Sequence, residues 1–217
     1  MSKCITNEVS CPECGNKQNF VLWQNIIADL DPQLKEKVLN GELFVFTCEK
    51  CGKRFPITYP CLYHDMEKHL MVYLAADKDD VEEMNKVLLN SPETFEIQAR
   101  QGYIYRAVGT VNELAEKIMI HDMKLDDRVI EIIKMLILFK SGNEGMDVDS
   151  IAGMFYYPGK EHKHEMMIMF ADGRQSLIPI DDDLIKETKD NLKERMEEHT
   201  KEGYQSINVE WVSKILS

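Results

Sequence analysis

The chain has 217 residues, 44% of them apolar, and a formal net charge of −12. That length holds one sizeable core or two small ones, and that apolar content excludes disorder as the default state. The negative charge counts against nonspecific nucleic-acid binding, which needs Lys and Arg to displace counterions. The apolar run over residues 135–139 is far too short to span a bilayer, and MSKCITNEVS at the start has no apolar leader segment. The expectation is a cytoplasmic protein with no membrane association.

In chain order, the first informative feature is Cys11-Pro12-Glu13-Cys14-Gly15, matched later by Cys48-Glu49-Lys50-Cys51-Gly52. Thiolates at Cys-x-x-Cys spacing grip one ion from a tight turn, and two such turns fill the tetrahedral shell of a structural Zn²⁺. The trailing glycine lets the backbone swing back so that its N–H groups face the sulfurs. The predicted metal ligands are therefore Cys11, Cys14, Cys48 and Cys51. Cys4 and Cys61 remain as isolated thiols, which in a reducing compartment are not a disulfide.

Between the pairs, residues 20–27 are rich in β-branched and aromatic side chains and predict a strand. Asp31-Pro32 opens a short helix over 33–40 that closes on Gly41. Residues 43–47 return as a strand into the second turn, and 54–59 leave it. Over 62–74 the apolar spacing does not choose between helix and strand. Residues 75–80 are a polar break. A helix is expected over 81–89, a hairpin from 95–100 and 103–108 around Gly102, and a helix from the capping box Thr110-Val-Asn-Glu113 to His121. Asp126-Asp127 open another helix, with Val129, Ile132, Ile133, Leu136 and Ile137 as its buried stripe. Strands follow at 152–157, 165–171 and 175–180, then a long charged helix over 183–201 and a closing segment over 207–216 anchored by Trp211.

These elements read as an α+β fold: an N-terminal zinc-ribbon-like module with a helical insertion over 1–76, then a mixed α/β region over 77–217. Within the latter, 77–142 carries the hairpin and helices, and 143–217 the antiparallel strands and C-terminal helices. Residues 1–76 hold 8 Lys+Arg against 9 Asp+Glu, leaving 18 against 29 for the remainder. Four zinc-bound thiolates on a dication add roughly two negative charges more.

Cys11-Pro12-Glu13-Cys14 resembles the motif for which the CpXC family of bacterial and archaeal proteins is called. Cys48-Glu49-Lys50-Cys51 has glutamate where proline can stand, which leaves metal geometry intact. Asp29-Leu-Asp-Pro32, Gly41-Glu-Leu-Phe44, Tyr59-Pro60 with Tyr63-His64-Asp65, and Glu113-Leu-Ala-Glu-Lys117 leading into Leu125-Asp-Asp-Arg-Val129 extend the resemblance over about residues 8 to 140. It implies a metal-binding cysteine quartet and no particular reaction.

Other candidates are weighed against plainer readings. His162 and His164, in Glu161-His-Lys-His-Glu165, could bind a metal, but a short histidine-rich tract is a compositional signal and Lys163 disfavours a cation. His64, Asp65 and His69 could form a general-base arrangement if helical, since Asp65 and His69 would then be i,i+4 neighbours. The pattern is not HExxH, and no nucleotide or hydrolase signature is present. The leading expectation is a zinc-stabilised interaction or regulatory module that binds another protein and is not an enzyme. The alternative is nucleic-acid recognition by the ribbon through Lys17, Lys50, Lys53 and Arg54, beside Trp23 and Phe55.

Overall fold

A computed structural model describes residues 1–160 and 163–217 and confirms the α+β class, with seven α-helices and ten strands among them. Its contacts separate two compact units. One is Met1–Ala115 with Glu202–Gln205; the other is Glu116–Lys201 with Ser206–Ser217.

In the first unit, β1 (Lys3–Ser10) and β2 (Lys17–Ile27) form an antiparallel hairpin whose turn is the first cysteine pair. The sequence reading contains β2 but not β1. β1 is exposed along almost its whole length, so no apolar alternation marks it. Asp31-Pro32 then starts α1 (Pro32–Leu39), which buries Leu34 and Val38. Gly41 follows at φ 74, where a side chain would be strained.

A 3₁₀ turn, Glu42–Phe44, replaces the first part of the predicted strand. β3 (Val45–Thr47) and β4 (Arg54–Pro56) then pair antiparallel around the second cysteine turn. The ambiguous stretch resolves into a hairpin of β5 (Cys61–Asp65) and β6 (Leu70–Leu74). All five residues of β6 are buried, so it shows neither helical nor alternating periodicity.

The predicted hairpin over 95–108 is not formed. Lys78–Leu89 (α2) and Pro92–Arg100 (α3) are helices, and only β7 (Ile104–Val108) is a strand. Phe95-Glu-Ile-Gln-Ala-Arg100 alternates like a strand, but Ser91-Pro92 is a helix start, and Pro at the first helical position prevails. β7 pairs parallel to β6, completing a sheet ordered β1-β2-β5-β6-β7, in which β2 and β5 are also parallel.

Residues 202–205 return to the far side of β7. Gln205 bridges Arg106 in parallel, and the Ala107 N–H donates to the Gln205 carbonyl at 3.1 Å. The Asn85 amide clasps this segment from α2, accepting from Tyr204 N at 2.7 Å and donating to Tyr204 O at 3.0 Å. Tyr73, Tyr105 and Tyr204 pack edge to face beneath it. Parallel pairing with β6 keeps β7 in the first unit, this bridge adds residues 202–205 to it, and the division falls inside α4 (Val111–Asp122) rather than at residue 76. The expected capping box opens α4: Thr110 Oγ1 accepts from Glu113 N, while Glu113 Oε2 accepts from Gly109 N and Thr110 N.

The second unit is built on α5 (Asp127–Asn143), which buries Val129, Ile130, Ile132 and Ile133. Full burial of such a side chain is worth about 1.5–3 kcal/mol. Leu136, predicted in the stripe, is instead 40% exposed, because the helix leaves the core in its second half. β8 (Ile151–Pro158), β9 (His164–Phe170) and β10 (Gln175–Ile180) form the predicted antiparallel sheet, with β9 central. The charged helix α6 (Asp182–Glu198) and α7 (Val209–Leu216) complete the unit. Trp211 is buried in the core and its indole N–H donates to the His199 carbonyl at 3.1 Å.

One polar structure is buried in this unit. Lys134 Nζ lies 2.7 Å from Glu116 and 3.0 Å from Glu131, and Lys117 Nζ lies 3.0 Å from Asp127 and 3.8 Å from Glu131. All five residues are less than 10% exposed. Lys117 also donates to the Ile207 carbonyl, and Glu116 accepts the N–H of Tyr156 on β8, an edge strand of its sheet. Burial holds the Glu116 carboxyl above its ordinary value, against the pull of Lys134 and Lys117. Burial disfavours the Lys134 cation, yet Glu116 and Glu131 outweigh it and hold the lysine above its own ordinary value.

Candidate metal centre

The two Cys-x-x-Cys-Gly segments are the turns of the β1–β2 and β3–β4 hairpins, and the same backbone bonds recur in both. Cys11 N donates to Asn16 O and Gly15 N to Cys11 O; Cys48 N donates to Lys53 O and Gly52 N to Cys48 O, all at 2.8–2.9 Å. Gly15 and Gly52 both stand at φ 69, in the left-handed region where glycine carries no steric penalty.

That fold-back aims donors at the sulfurs. The N–H of Asn16 faces Cys14, that of Lys53 faces Cys51, and those of Cys51 and Lys50 face Cys48. The glycine role read from the sequence is thus realised one residue beyond each glycine.

The four sulfurs converge. Cys11 and Cys51 Sγ are 3.7 Å apart, Cys14 and Cys48 Sγ 3.6 Å apart, and all four lie within 4.8 Å of one another. Tetrahedral bonds of about 2.3 Å to a central ion give sulfur–sulfur edges of about 3.8 Å, so the spacing fits one metal.

The electrostatics agree with that fit. The N–H groups of Cys51 and Lys50 bring the Cys48 thiol down to about 6. The Lys53 N–H favours the Cys51 thiolate, but local desolvation and the sulfurs of Cys48, Cys14 and Cys11 push it up to about 12. Cys14 is likewise raised: burial and the Cys48 sulfur outweigh the Asn16 N–H. Four thiolates this close repel one another without a cation between them, and a dication lets all four ionise.

Several residues that the sequence reading passed over hold the centre together. Gln18 of β2 reaches the second hairpin, its amide donating to Thr47 O at 3.0 Å and its carbonyl accepting from Glu49 N at 2.8 Å. Phe20 meets Phe46 edge-on, with ring centroids 6.0 Å apart, and Cys11, Phe46 and Cys48 form a small buried cluster. The polar-then-aromatic order Gln-Asn-Phe after the first glycine was the available signal. Its cross-hairpin meaning needs the pairing of both turns.

Among the described residues, the other candidates do not converge on a metal. His162 lies outside the described residues. His164 begins β9; its Nδ1 shares a hydrogen bond with Tyr156 Oη at 2.8 Å, and its Nε2 faces Asp182 at 3.4 Å. His64 and Asp65 are in strand β5, not a helix, and His69 sits in the β5–β6 turn at φ 53. Asp65 pairs with Lys35 at 3.3 Å and accepts from Tyr63 Oη and Lys68 N, while His64 Nε2 shares a hydrogen bond with Tyr103 Oη at 3.1 Å. The helical Asp65–His69 geometry is therefore replaced by a sheet end in which each group has another partner. Desolvation holds the His64 pKa below its ordinary value, against the opposing pull of Asp29 and Asp65. Lys17 pairs with Glu8 at 3.0 Å, and Lys50, Lys53 and Arg54 are exposed around the second turn. Among the described residues, no other group of three or more His, Cys, Asp or Glu side chains converges as the quartet does.

Two hairpin turns presenting four convergent sulfurs define a ribbon-like cysteine centre on an α+β scaffold, with a geometry that could hold one metal ion. Residues 9–134 match the family described as CpXC protein, which is more than half of the chain, and the protein belongs to that family. No curated protein and no solved structure matches the chain. Among the described residues, no helix is long and apolar enough to cross a membrane.

Proposed function

We propose that the quartet holds one structural Zn²⁺ and that the protein is a zinc-stabilised interaction or regulatory module, binding another protein without catalysis of its own. The observation that carries this reading is the donor set: all four convergent ligands are sulfur. A closed four-sulfur shell leaves no position for water or substrate, whereas catalytic zinc keeps one open. The net charge of −12 favours a partner with a basic face. Six free cysteines suit a reducing, cytoplasmic setting.

Metal analysis of freshly purified protein should give one zinc per chain, and capture experiments should recover a specific protein whose retention weakens as salt is raised. No zinc, or no specific partner at low salt, counts against the reading. A second reading rests on the exposed Lys50, Lys53 and Arg54 of the second turn, which suit phosphate contacts. Titration with single- and double-stranded nucleic acid at two salt concentrations separates the two, because phosphate contacts impose a salt slope that charge reversal at these three residues removes.

A further inference from the structure

The four sulfurs are not equally sheltered. Cys11 and Cys48 are 2% and 1% exposed, Cys14 is half-buried, and Cys51 is exposed. Of the four, Cys51 is therefore the residue an oxidant arriving from solvent reaches first, and the sulfur of Cys11 lies 3.7 Å from its own. The remaining cysteines offer a contrast. Cys61 is fully buried, with its thiol pushed up to about 12 by desolvation, and Cys4 is exposed on β1 opposite Trp23.

We infer that Cys51 is an oxidation site for peroxide-class oxidants, and that its oxidation releases the metal through a Cys11–Cys51 disulfide. The inference rests on the zinc reading above, since zinc is redox-inert and the electrons must come from sulfur. In the first step the Cys51 thiolate attacks one peroxide oxygen. An S–O bond forms and the O–O bond breaks. Sulfur is oxidised to a sulfenic acid, the peroxide is reduced by two electrons, and the second oxygen leaves as hydroxide. In the second step the Cys11 thiolate attacks the Cys51 sulfur. The S–S bond forms, the S–O bond breaks, and the departing hydroxide is protonated to water. Two of the four sulfurs, those of Cys11 and Cys51, would then no longer be available to hold an ion. A dithiol returns the two electrons by exchange through a mixed disulfide, and the site can be refilled.

The test uses the full chain, its zinc content first confirmed. Hydrogen peroxide is added in graded equivalents while a chromogenic chelator reports free zinc, and free thiols are then alkylated and disulfides mapped by mass spectrometry. The expected result is stoichiometric zinc release with Cys11–Cys51 as the first disulfide, Cys61 unmodified, and recovery with dithiothreitol and added zinc. A Cys51→Ser variant can simply fail to fold, so Cys51→His is the second arm. A Cys₃His shell still holds zinc, and release from it should be at least tenfold slower. Zinc retained at peroxide levels that oxidise Cys4, a first disulfide lacking Cys51, or unchanged release from Cys51→His each overturns the inference and leaves the zinc reading standing. Protein that carries no zinc overturns both.

Discussion

The two units each gather a cluster of ionisable groups, and the countercharge available to each has an opposite source. In the first unit four sulfurs face one another and need a cation from outside. In the second, three carboxylates and two lysines interlock at 2.7–3.8 Å and supply their own countercharge. If the first centre holds an ion, as proposed above, that ion can be removed and returned, and the unit's stability then depends on solution conditions. The second is fixed by the chain, and its failure is a folding failure. The family match over residues 9–134 spans both clusters and ends on Lys134 itself.

The largest effect expected from breaking this contrast is at the metal. Structural zinc is worth about 10–16 kcal/mol in small zinc-finger peptides. Chelation, or Cys48→Ser, should therefore unravel the two hairpins while α5 and the β8–β10 sheet persist, as read by amide hydrogen exchange. Equal protection with and without chelator would sink the zinc-staple account.

Next is the ionic cluster, indifferent to chelator. Glu116→Ala leaves Lys134 partly uncompensated and Tyr156 N without its acceptor, and should cost about 3–5 kcal/mol in urea unfolding. Replacing Glu116 and Lys134 together by Leu and Met should recover only the part due to the stranded Lys134 charge, because Tyr156 N stays without its acceptor and Glu131 loses its nearer cation. A double variant no better than the single one would show that packing, not charge, holds the site.

The same cluster has a pH signature. Glu116 and Lys134 are both shifted upward, so the folded state grips their protons more tightly than the unfolded chain does. Stability therefore falls as pH rises through each window, from the ordinary 4.5 upward for Glu116 and from 10.5 upward for Lys134. Because burial also raises Tyr105, Tyr156 and Tyr204, urea midpoints measured from pH 9 to 11.5 should drop for both proteins, and more steeply for the native one than for Lys134→Met; parallel curves would refute the assignment.

Asn85→Ala removes two hydrogen bonds to Tyr204 and should cost about 1–3 kcal/mol, seen as faster exchange at Ala107 than at β8. At the small end, Glu8→Gln breaks only the exposed pair with Lys17 and should change the melting free energy by less than about 0.5 kcal/mol.

The contrast also explains what was legible in the sequence. The metal centre is local: each half is five consecutive residues whose spacing and glycine specify the turn, so only the meeting of the halves awaited the structure. The ionic cluster is non-local. Glu116 and Lys117 lie in a charged stretch that reads as a solvated helix face, and nothing nearby announces that Glu131, Lys134 and a β8 N–H will close over them. Strands with one wet face were readable, as β8 to β10 show. β1, wet on both faces, and β6, dry on both, carry no alternation to read. α3 went the other way, its accidental alternation masking the Ser-Pro start.

The four residues that return to the edge of β7 bear on how the protein can be dissected. A recombinant fragment ending at Ala115 would retain both cysteine turns and all five strands of the first sheet. It would lose Gly203-Tyr204-Gln205 and leave β7 as an open edge, with Asn85 facing solvent and Tyr73 and Tyr105 unroofed. Such a piece should bind its metal and still self-associate through the naked strand. Supplying residues 202–205 as a short C-terminal graft after a flexible spacer is then the design that should keep it monomeric.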